Sequence, residues 1–398
     1  MKLLFIADGR SPIALNWIQY FVDQGHEVHL ASLYPCQPDL QLASLTIIPV
    51  AFSGAVEQGS VVSGRGSLKS RLTRAIATPA VRTWLRHQFV PRSLPNAATE
   101  LQSLIAHLQP DLIHAMRIPY EGMLAALALS EVEEPSLLVS VWGNDFTLHA
   151  PATLRLARLT KLALQRADAL HTDCQRDLDL AGKLGFAANK PGVVLPGAGG
   201  IQMDVFYPGP HPRPLSLKGE GGIIINPRGL RAYVRSDTFF EAVPRVLARH
   251  PGVKFICPSM QNQPEAESWA SRLGAGESLS LLPRLSRVQM ADAYRQAQIV
   301  LSITEHDGTP NTLLEALACG CFPIVGDIPS LREWIRDGEN GFLVDSGDPH
   351  ALAEAIGTAL LDPELRARAR EINMQMIVER AEYGAVMAQA ERFYQEFV

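Results

Sequence analysis

Two acidic residues, Asp307 and Glu315, flank the predicted start of a short helix. Thr309 is a candidate N-cap, Pro310 suits the first helical position, and Gly320 is a natural C-terminal stop. The unpaired N–H groups of the first turn would lie at the positive end of the helix dipole, which favours phosphate. The flanking carboxylates could accept hydrogen bonds from sugar hydroxyls. The segment therefore predicts a nucleotide-sugar site, although the same residues could simply cap and pack a helix.

A second candidate cluster consists of arginines that follow a predicted strand at 223–225. Arg228 comes first, and Arg231 and Arg235 lie further along the same loop. Because ligands of doubly wound sheets bind beyond the carboxyl ends of the strands, Arg228 and Asp307 are expected to face one crevice. Guanidinium groups there would neutralise a diphosphate leaving group. Arg235 is the expected partner of Arg228, with Arg231 as a competitor, and an arginine cluster on a loop can also be plain surface.

Both clusters depend on an alternation of short apolar runs with helical patterns, which is typical of α/β proteins. In the first half, the runs predict strands at 3–7, 27–32, 112–114, 136–141, 169–171 and 193–195. Proline and glycine then concentrate between residues 191 and 222, as expected of an interdomain hinge. Beyond the hinge, strands are predicted at 223–225, 254–256, 299–303 and 322–325. A chain of 398 residues exceeds one compact core, so two parallel α/β domains are predicted.

The composition is that of an ordinary globular protein, with 47% hydrophobic and 19% charged residues. The formal net charge of -5 argues against nucleic acid as a partner. Five scattered cysteines show no spacing typical of zinc ligands or of a disulfide framework, which predicts reduced thiols. The apolar start is too short for a signal peptide, and no run approaches the length of a membrane span. A cytoplasmic protein is therefore expected.

One segment, residues 58–99, contains no acidic residue and interrupts the α/β alternation. Trp84, Leu85 and Phe89 are interleaved with its cations, which are Arg65, Lys69, Arg71, Arg74, Arg82, Arg86 and Arg92. Such a basic amphipathic segment, 65–92, could bind an anionic acceptor or make peripheral contact with the inner face of a membrane. A solvated surface insertion accounts for the same pattern.

The block at 307–320 resembles the donor-site signature of the family 4 glycosyltransferases, which are retaining enzymes of the GT-B fold. That signature has two glutamates separated by seven residues and then Ala-x-Ala-x-Gly; here Asp307 replaces the first glutamate. Arg228 matches the arginine of the family's Gly-Arg-Leu motif, but the lysine that usually follows is missing, and Arg235 is the nearest cation in register. Weaker similarities occur at 25–28, 195–198, 337–344 and 362–365.

In the first half, the loop after the predicted strand at 136–141 resembles the family's Thr-x-His-Gly-x-Asp loop, which faces the acceptor. Trp142 replaces the histidine, and its ring could stack on a sugar face. Asn144 and Asp145 are candidate partners for acceptor hydroxyls, although they could also cap an ordinary turn. The loop after the first strand occupies the place of the family's Gly-Gly loop, with Gly9 expected near the donor and Arg10 and Ser11 on the acceptor side.

The resemblance implies an α/β fold of the GT-B type, with two Rossmann-like doubly wound domains facing a central cleft. Residues 1–205 would form the acceptor-side domain and carry the basic insertion at 58–99. Residues 206–375 would form the nucleotide-sugar donor domain. A terminal helix at 376–398 is expected to cross back to the first domain.

The resemblance also implies a retaining glycosyltransferase of the hexosyltransferase type, with a UDP-sugar as the expected donor. The acceptor would be an unidentified hydroxyl on a glycan, a lipid-linked intermediate or a small molecule. Glu315 would bind the ribose, Asp307 the sugar hydroxyls, and Arg228 with Arg235 the leaving diphosphate. Further donor contacts are expected from Gly9, Arg231, Gly308, Thr309, Pro310, Asn311, Thr312 and Leu313. No cofactor or metal is expected, because in this family the leaving phosphate itself is thought to take the acceptor's proton.

Three alternatives share the same sequence features. A nucleotide-sugar epimerase or a phosphorylase could have this architecture, and a non-catalytic nucleotide-sugar-binding protein could keep the donor site. His114, His149 and His306 are isolated in the sequence, so they are expected to be structural rather than catalytic.

Overall fold

The structure is a computed structural model that describes residues 1–51, 53, 79–130, 132, 134–209 and 222–398, with only the backbone for 79–82. The chain divides into two compact units, Met1–Ala198 with Met387–Val398 and Gly199–Val386. Of the predicted basic segment, Arg65, Lys69, Arg71, Arg74 and the side chain of Arg82 lie outside the described residues. No helix in the described part of the chain combines the length and apolar character needed to cross a bilayer.

The first unit is built on a seven-stranded parallel sheet. Its strands are β1 (Lys2–Ala7), β2 (Glu27–Ser32), β3 (Ser44–Ile47), β4 (Leu112–Ala115), β5 (Ser136–Val141), β6 (Ala169–Thr172) and β7 (Gly192–Val194). Its helices are α1 (Pro12–Asp23), α2 (Pro79–Leu108), α3 (Met123–Ala128), α4 (Leu154–Arg166) and α5 (Gln175–Leu184). The sheet order is β3-β2-β1-β4-β5-β6-β7. The apolar runs of β1, β4 and β5 are buried because helices cover both faces of a parallel sheet.

The second unit repeats the plan with six parallel strands. They are β8 (Ile223–Ile225), β9 (Lys254–Cys257), β10 (Leu279–Leu281), β11 (Ile299–Ser302), β12 (Phe322–Gly326) and β13 (Phe342–Val344). Its helices are α6 (Ser236–Arg249), α7 (Pro264–Leu273), α8 (Arg287–Gln296), α9 (Asn311–Ala318), α10 (Pro349–Leu361) and α11 (Pro363–Arg380). The last helix, α12 (Tyr383–Gln395), begins in this unit and continues into the first. The sheet order is β10-β9-β8-β11-β12-β13. The prediction of two doubly wound parallel α/β sheets is therefore confirmed.

Each sheet has a point where the strand order reverses, between β1 and β4 in the first unit and between β8 and β11 in the second. Loops on the two sides of such a point diverge and leave a crevice beyond the carboxyl ends of the strands. The loops after β1 and β4 therefore border the crevice of the first unit, and the loops after β8 and β11 border the crevice of the second. These loops carry most of the candidate residues.

The chain's last residues, Met387–Val398, belong to the first unit. Tyr394 is buried there and accepts a hydrogen bond from Trp17 Nε1 at 2.9 Å. Its hydroxyl also contacts His114 Nδ1, and Ser140 then links His114 to His171 through contacts of 2.7 and 2.8 Å. Burial lowers the pKa of both histidines, that of His171 to about 4, so both are neutral at pH 7. His114 therefore lies within a buried polar network of the core.

Candidate functional site

Arg228 and Asp307 meet at the carboxyl ends of the neighbouring strands β8 and β11. A guanidinium N–H of Arg228 donates to Asp307 Oδ2, and Arg228 Nη1 donates to Thr312 Oγ1 at 3.1 Å. The two charged side chains are only 6% and 15% exposed. The arginine is therefore fixed between two loops and the first turn of α9, with its charge balanced by one carboxylate.

Local hydrogen bonds hold these loops in place. Asn226 Oδ1 accepts from the N–H of Arg228 at 3.3 Å, which tightens the turn after β8. The Ser330 hydroxyl donates to the carbonyl of Asp307 at 2.6 Å, and Trp334 Nε1 donates to Thr309 Oγ1 at 2.9 Å. Two side chains from the segment after β12 thus hold the loop before α9 in place through hydrogen bonds.

The start of α9 differs from the predicted one. The helix begins at Asn311, and Pro310 occupies the N-cap position, where it offers no side-chain hydrogen bond. Thr309 lies one residue before the N-cap, and its hydroxyl accepts from the Trp334 indole. The N–H of Leu313 already donates to the Pro310 carbonyl at 2.9 Å. Only the N–H groups of Asn311 and Thr312 precede the first intrahelical bond, so the predicted anion cradle is one residue shorter.

Glu315 lies one turn into α9, where protein atoms cover its carboxyl group while part of the residue remains exposed. Burial raises its pKa to about 7, against the opposing effects of the Arg287 cation and the Tyr294 hydroxyl. Two buried polar atoms at this end of α9, Arg228 Nε and Asn311 Oδ1, have no hydrogen-bond partner among the described residues. Since buried polar groups are normally paired, these atoms mark the region as a candidate ligand site.

Arg235, the expected partner of Arg228, is held by two other carboxylates. Arg235 forms ion pairs with Asp237 at 2.8 Å and with Glu305 at 2.7 Å, and hydrogen bonds to both carboxylates raise its pKa. Arg231 is exposed, and its Nη1 donates to the Tyr233 hydroxyl at 3.0 Å. Arg228 is therefore the arginine that pairs with Asp307 and Thr312, and Arg235 pairs with other carboxylates.

The first unit contains a cavity of about 160 Å³ beyond the carboxyl ends of β1, β4 and β5. Of the predicted acceptor-side residues, Ser11 and Trp142 line it. Arg10 is held beside it by an ion pair with Asp8 at 2.9 Å, and its guanidinium carbon lies 3.9 Å from the centre of the Tyr34 ring. The structure therefore brings the loops after β1 and β5 to the same cavity.

Gly9 and Ser11 also have local structural roles. A Cβ atom on Gly9 would lie 2.4 Å from Cys36 Sγ, so only glycine fits this close approach. The N–H of Gly9 donates to Ser32 Oγ at 3.1 Å. Ser11 is the N-cap of α1, where its hydroxyl accepts from the N–H of Ala14 at 3.4 Å.

Asn144 and Asp145 hold an arginine that was not predicted. Arg117, after β4, donates from Nε to Asp145 Oδ1 at 2.9 Å and from Nη2 to Asn144 Oδ1 at 2.8 Å. The second oxygen of Asp145 accepts from the N–H of Trp142 at 3.0 Å, and the Asp145 side chain is fully buried. These residues fix the loop after β5 and position Arg117, which lines the cavity.

Several other cavity residues were not predicted, among them Glu121 and Tyr120. Tyr120 has a φ of 76°, which is a strained conformation for a bulky residue. It lies in the turn after β4 that places the Glu121 side chain in the protein interior. Glu121 is 4% exposed, and its Oε2 has no hydrogen-bond partner among the described residues. Burial raises its pKa to about 8. The sequence does not reveal this turn, because residues 121–130 have the pattern of an ordinary helix.

The cavity also contains a histidine pair, His87 from α2 and His149. Their ring nitrogens lie 2.8 Å apart. Burial lowers both pKa values, that of His149 to about 2, and nearby arginines lower them further. Both rings are therefore neutral at pH 7 and serve as hydrogen-bonding groups.

One cluster resembles a metal site in composition. Ligand atoms of Asp173, Cys174 and Asp177 lie within 4.8 Å of one another and are buried. Arg176 pairs with Asp177 at 2.8 Å, and burial raises the pKa of the Cys174 thiol, which donates to Asp177 Oδ2 at 3.3 Å. A protonated thiol and a carboxylate already paired with arginine are poor metal ligands.

Comparisons with known proteins match both halves of the chain. Residues 2–174 match the family model described as glycosyl transferase 4-like, and residues 211–376 match the one described as glycosyl transferases group 1. The D-inositol 3-phosphate glycosyltransferase of Acidothermus cellulolyticus is 28% identical over 269 residues, which cover 64% of this chain and 55% of the relative. The chain thus spans about half the length of the curated relatives it matches.

Solved structures show the same fold. Sucrose-phosphate synthase from Thermosynechococcus elongatus gives a TM-score of 0.74 at 15% identity, covering 100% of this chain and 99% of that one. Anabaena HepE, solved with UDP, gives a TM-score of 0.71 at 13% identity, with 100% of both chains covered. These likenesses confirm the predicted GT-B fold. With glycosyltransferase models matching both units and the 307–320 signature in the second, the chain belongs to the family 4 glycosyltransferases.

Proposed function

We propose that this protein is a retaining glycosyltransferase that transfers a sugar from a UDP-sugar to a hydroxyl of an acceptor. The observation that carries the proposal is the buried Arg228–Asp307 pair at the start of α9, in the crevice where doubly wound sheets bind nucleotides. UDP in the HepE structure, which has the same fold, supports UDP as the first nucleotide to test.

In the second unit, Arg228 would bind the diphosphate. Its Nε has no partner among the described residues, and the N–H groups of Asn311 and Thr312 lie at the positive end of α9. Glu315, ionised, would accept hydrogen bonds from the ribose hydroxyls. Asp307 would fix the direction of the guanidinium and lie near the sugar. Arg235 is already paired with Asp237 and Glu305, so it is not assigned to the diphosphate.

The reaction breaks the bond between the anomeric carbon and the β-phosphate oxygen and forms a bond from that carbon to the acceptor oxygen. The acceptor's proton passes to the leaving phosphate oxygen, so UDP departs with one proton and no protein nucleophile is required. Negative charge on the departing diphosphate grows as its bond to carbon breaks. A guanidinium already oriented by Asp307 stabilises that charge without having to reorganise.

The acceptor would bind in the first unit, at the cavity lined by Ser11, Trp142 and Arg117. The curated relatives are named for D-inositol 3-phosphate, which makes this compound the first acceptor to test. A contact with a membrane surface is a second element of the proposal. Trp84 and Phe89 on α2 are 57% and 45% exposed, as expected of anchors beside a basic segment at the cytoplasmic face.

The test is incubation of the protein with UDP-glucose and a panel of acceptors, with UDP release and glycoside formation measured together. Arg228→Ala and Glu315→Ala should abolish transfer while circular dichroism stays unchanged, and the exposed Glu277→Ala should behave like the wild type. NMR of the product should show the anomeric configuration of the donor. Full transfer by either site variant would contradict the proposal. An epimer formed without acceptor, or glucose 1-phosphate formed with phosphate, would instead identify an epimerase or a phosphorylase.

A further inference from the structure

We propose that the cavity of the first unit recognises a negatively charged group on the acceptor, a phosphate or a carboxylate, and that Arg86 is the residue that binds it. The inference rests on the proposed function, since it names the chemical class of the acceptor. It also gives a role to one of the cations of the basic segment.

Arg86 is a half-buried cation without an ionic partner among the described residues. It projects from α2, its guanidinium donates to the Tyr34 hydroxyl, and it lines the cavity. The guanidinium carbon lies 5.7 Å from the centre of the Tyr34 ring and 5.6 Å from that of Tyr120. It forms no ion pair with any carboxylate in the part of the chain that the structure describes. Two aromatic rings thus orient the cation and leave its charge uncompensated.

The other strong charges around the cavity cancel in pairs. Arg117 is paired with the fully buried Asp145 at 2.9 Å. Arg10 is paired with Asp8, also at 2.9 Å. Each pair adds one positive and one negative charge, so neither gives the cavity a net sign. Arg86 is left as the uncompensated charge among these residues.

The titratable groups of the cavity do not offset Arg86 at neutral pH. The pKa values of His87 and His149 are lowered, chiefly by burial, so both rings are uncharged. Burial raises the pKa of Glu121 to about 8, so its carboxyl is mostly protonated at pH 7. A protonated carboxyl is a hydrogen-bond donor, and Oε2 of Glu121 has no partner among the described residues. The cavity therefore combines one net positive charge with neutral donors.

The size of the cavity restricts the kind of ligand. A volume of about 160 Å³ is smaller than the roughly 300–1,000 Å³ of sites that enclose a whole drug-sized molecule. It suits one charged group with a few attached carbons. The rings of Tyr34, Tyr120 and Trp142 line the cavity and offer apolar faces for the C–H groups of a polyol. A small anionic polyol fits these features better than an extended neutral glycan.

The experiment compares matched neutral and charged probes by calorimetry on the full chain, with and without saturating UDP and at constant ionic strength. The pairs are myo-inositol with myo-inositol 3-phosphate, and glucose with glucuronate. At least one charged probe should bind about tenfold or more tightly than its neutral partner, the usual gain from a charge-assisted hydrogen bond. Arg86→Gln should remove that difference and Arg86→Lys should keep part of it. The control Arg158→Gln removes an exposed arginine of the same unit and should change nothing.

Equal affinity for charged and neutral probes would overturn the proposal, and so would a preference that survives in Arg86→Gln. If only phosphatidylglycerol vesicles bind in an Arg86-dependent manner, and phosphatidylcholine vesicles and the soluble anions do not, the site is a lipid-surface contact and the proposal also fails. Binding of UDP-glucose to the same variants separates these failures from failure of the proposed function. Donor binding that needs Glu315 but not Arg86 would leave that function standing while the acceptor class is rejected.

Discussion

Affinity for the donor should depend on pH through Glu315, because its carboxyl must be ionised to accept two ribose hydroxyls. Its pKa in the free protein is about 7. The carboxyl is then about nine tenths ionised at pH 8 and about one tenth at pH 6, which predicts about tenfold weaker binding at pH 6, or about 1.4 kcal/mol. The sign follows from linkage: a ligand that prefers the carboxylate lowers the pKa and loses affinity as protons are added. UDP-glucose is the suitable probe, because its diphosphate is esterified at both ends and keeps its charge over this range.

Isothermal titration calorimetry at pH 6, 7 and 8, at one ionic strength, measures the effect. Glu315→Gln should bind weakly with an affinity that does not vary with pH. Glu277→Gln removes an exposed acid of the same unit and should keep the wild-type pH dependence. A wild-type affinity that is equal at pH 6 and pH 8 would refute the assigned role of Glu315, and so would a pH dependence that persists in Glu315→Gln.

Three further predictions concern single contacts. Arg228→Lys keeps the charge but cannot bridge Asp307 and Thr312, so kcat/KM for transfer should fall at least about tenfold; an unchanged value would contradict its role. Burial raises the pKa of Glu121 from 4.5 to about 8, so the folded protein prefers the protonated carboxyl. The resulting contribution to the free energy of unfolding is fully present below pH 4.5 and is lost as the pH rises through 8. Urea unfolding across this pH range should show a loss on the order of 3–5 kcal/mol in the wild type that is absent in Glu121→Gln. Trp334→Phe should cost about 1 kcal/mol of unfolding free energy by removing the indole donor.

The fold was largely predictable, because buried parallel strands appear as short apolar runs. The predicted strand at 299–303 corresponds to β11 (Ile299–Ser302), and the one at 322–325 to β12. Three edge strands, β3, β10 and β13, were not predicted, since each has only three or four residues and is only partly buried. The basic segment was interpreted either as an amphipathic lid or helix or as a surface insertion; its described part lies in the long helix α2, which contains Pro91 and Pro95. The terminal helix expected at 376–398 is divided between α11 and α12, which separate at 381–382.

The site was predictable only where one motif contained it. The 307–320 signature located Asp307 and Glu315, and strand topology placed Arg228 opposite Asp307. The sequence does not show that these two residues neutralise each other, because such a pair depends on the distance between two loops. Arg117 and Glu121 were not found for the same reason. Each becomes a cavity residue only through the turn after β4, where the strained Tyr120 redirects the chain.

Both units orient an arginine by pairing it with a carboxylate on the loop of the neighbouring strand. In the second, an arginine after β8 is held by a carboxylate after the neighbouring strand β11; in the first, Arg117 after β4 is held by Asp145 after the neighbouring strand β5. Adjacent parallel strands deliver their loops to one edge, so a cation on one loop and an acid on the next can orient each other before any ligand binds. An arginine fixed in this way loses little entropy on meeting an anion, but its charge is already partly compensated. Arg86 presents the opposite case: two aromatic rings orient it, and no carboxylate in the described part of the chain pairs with it, so an anionic ligand would meet a cation that is not already neutralised.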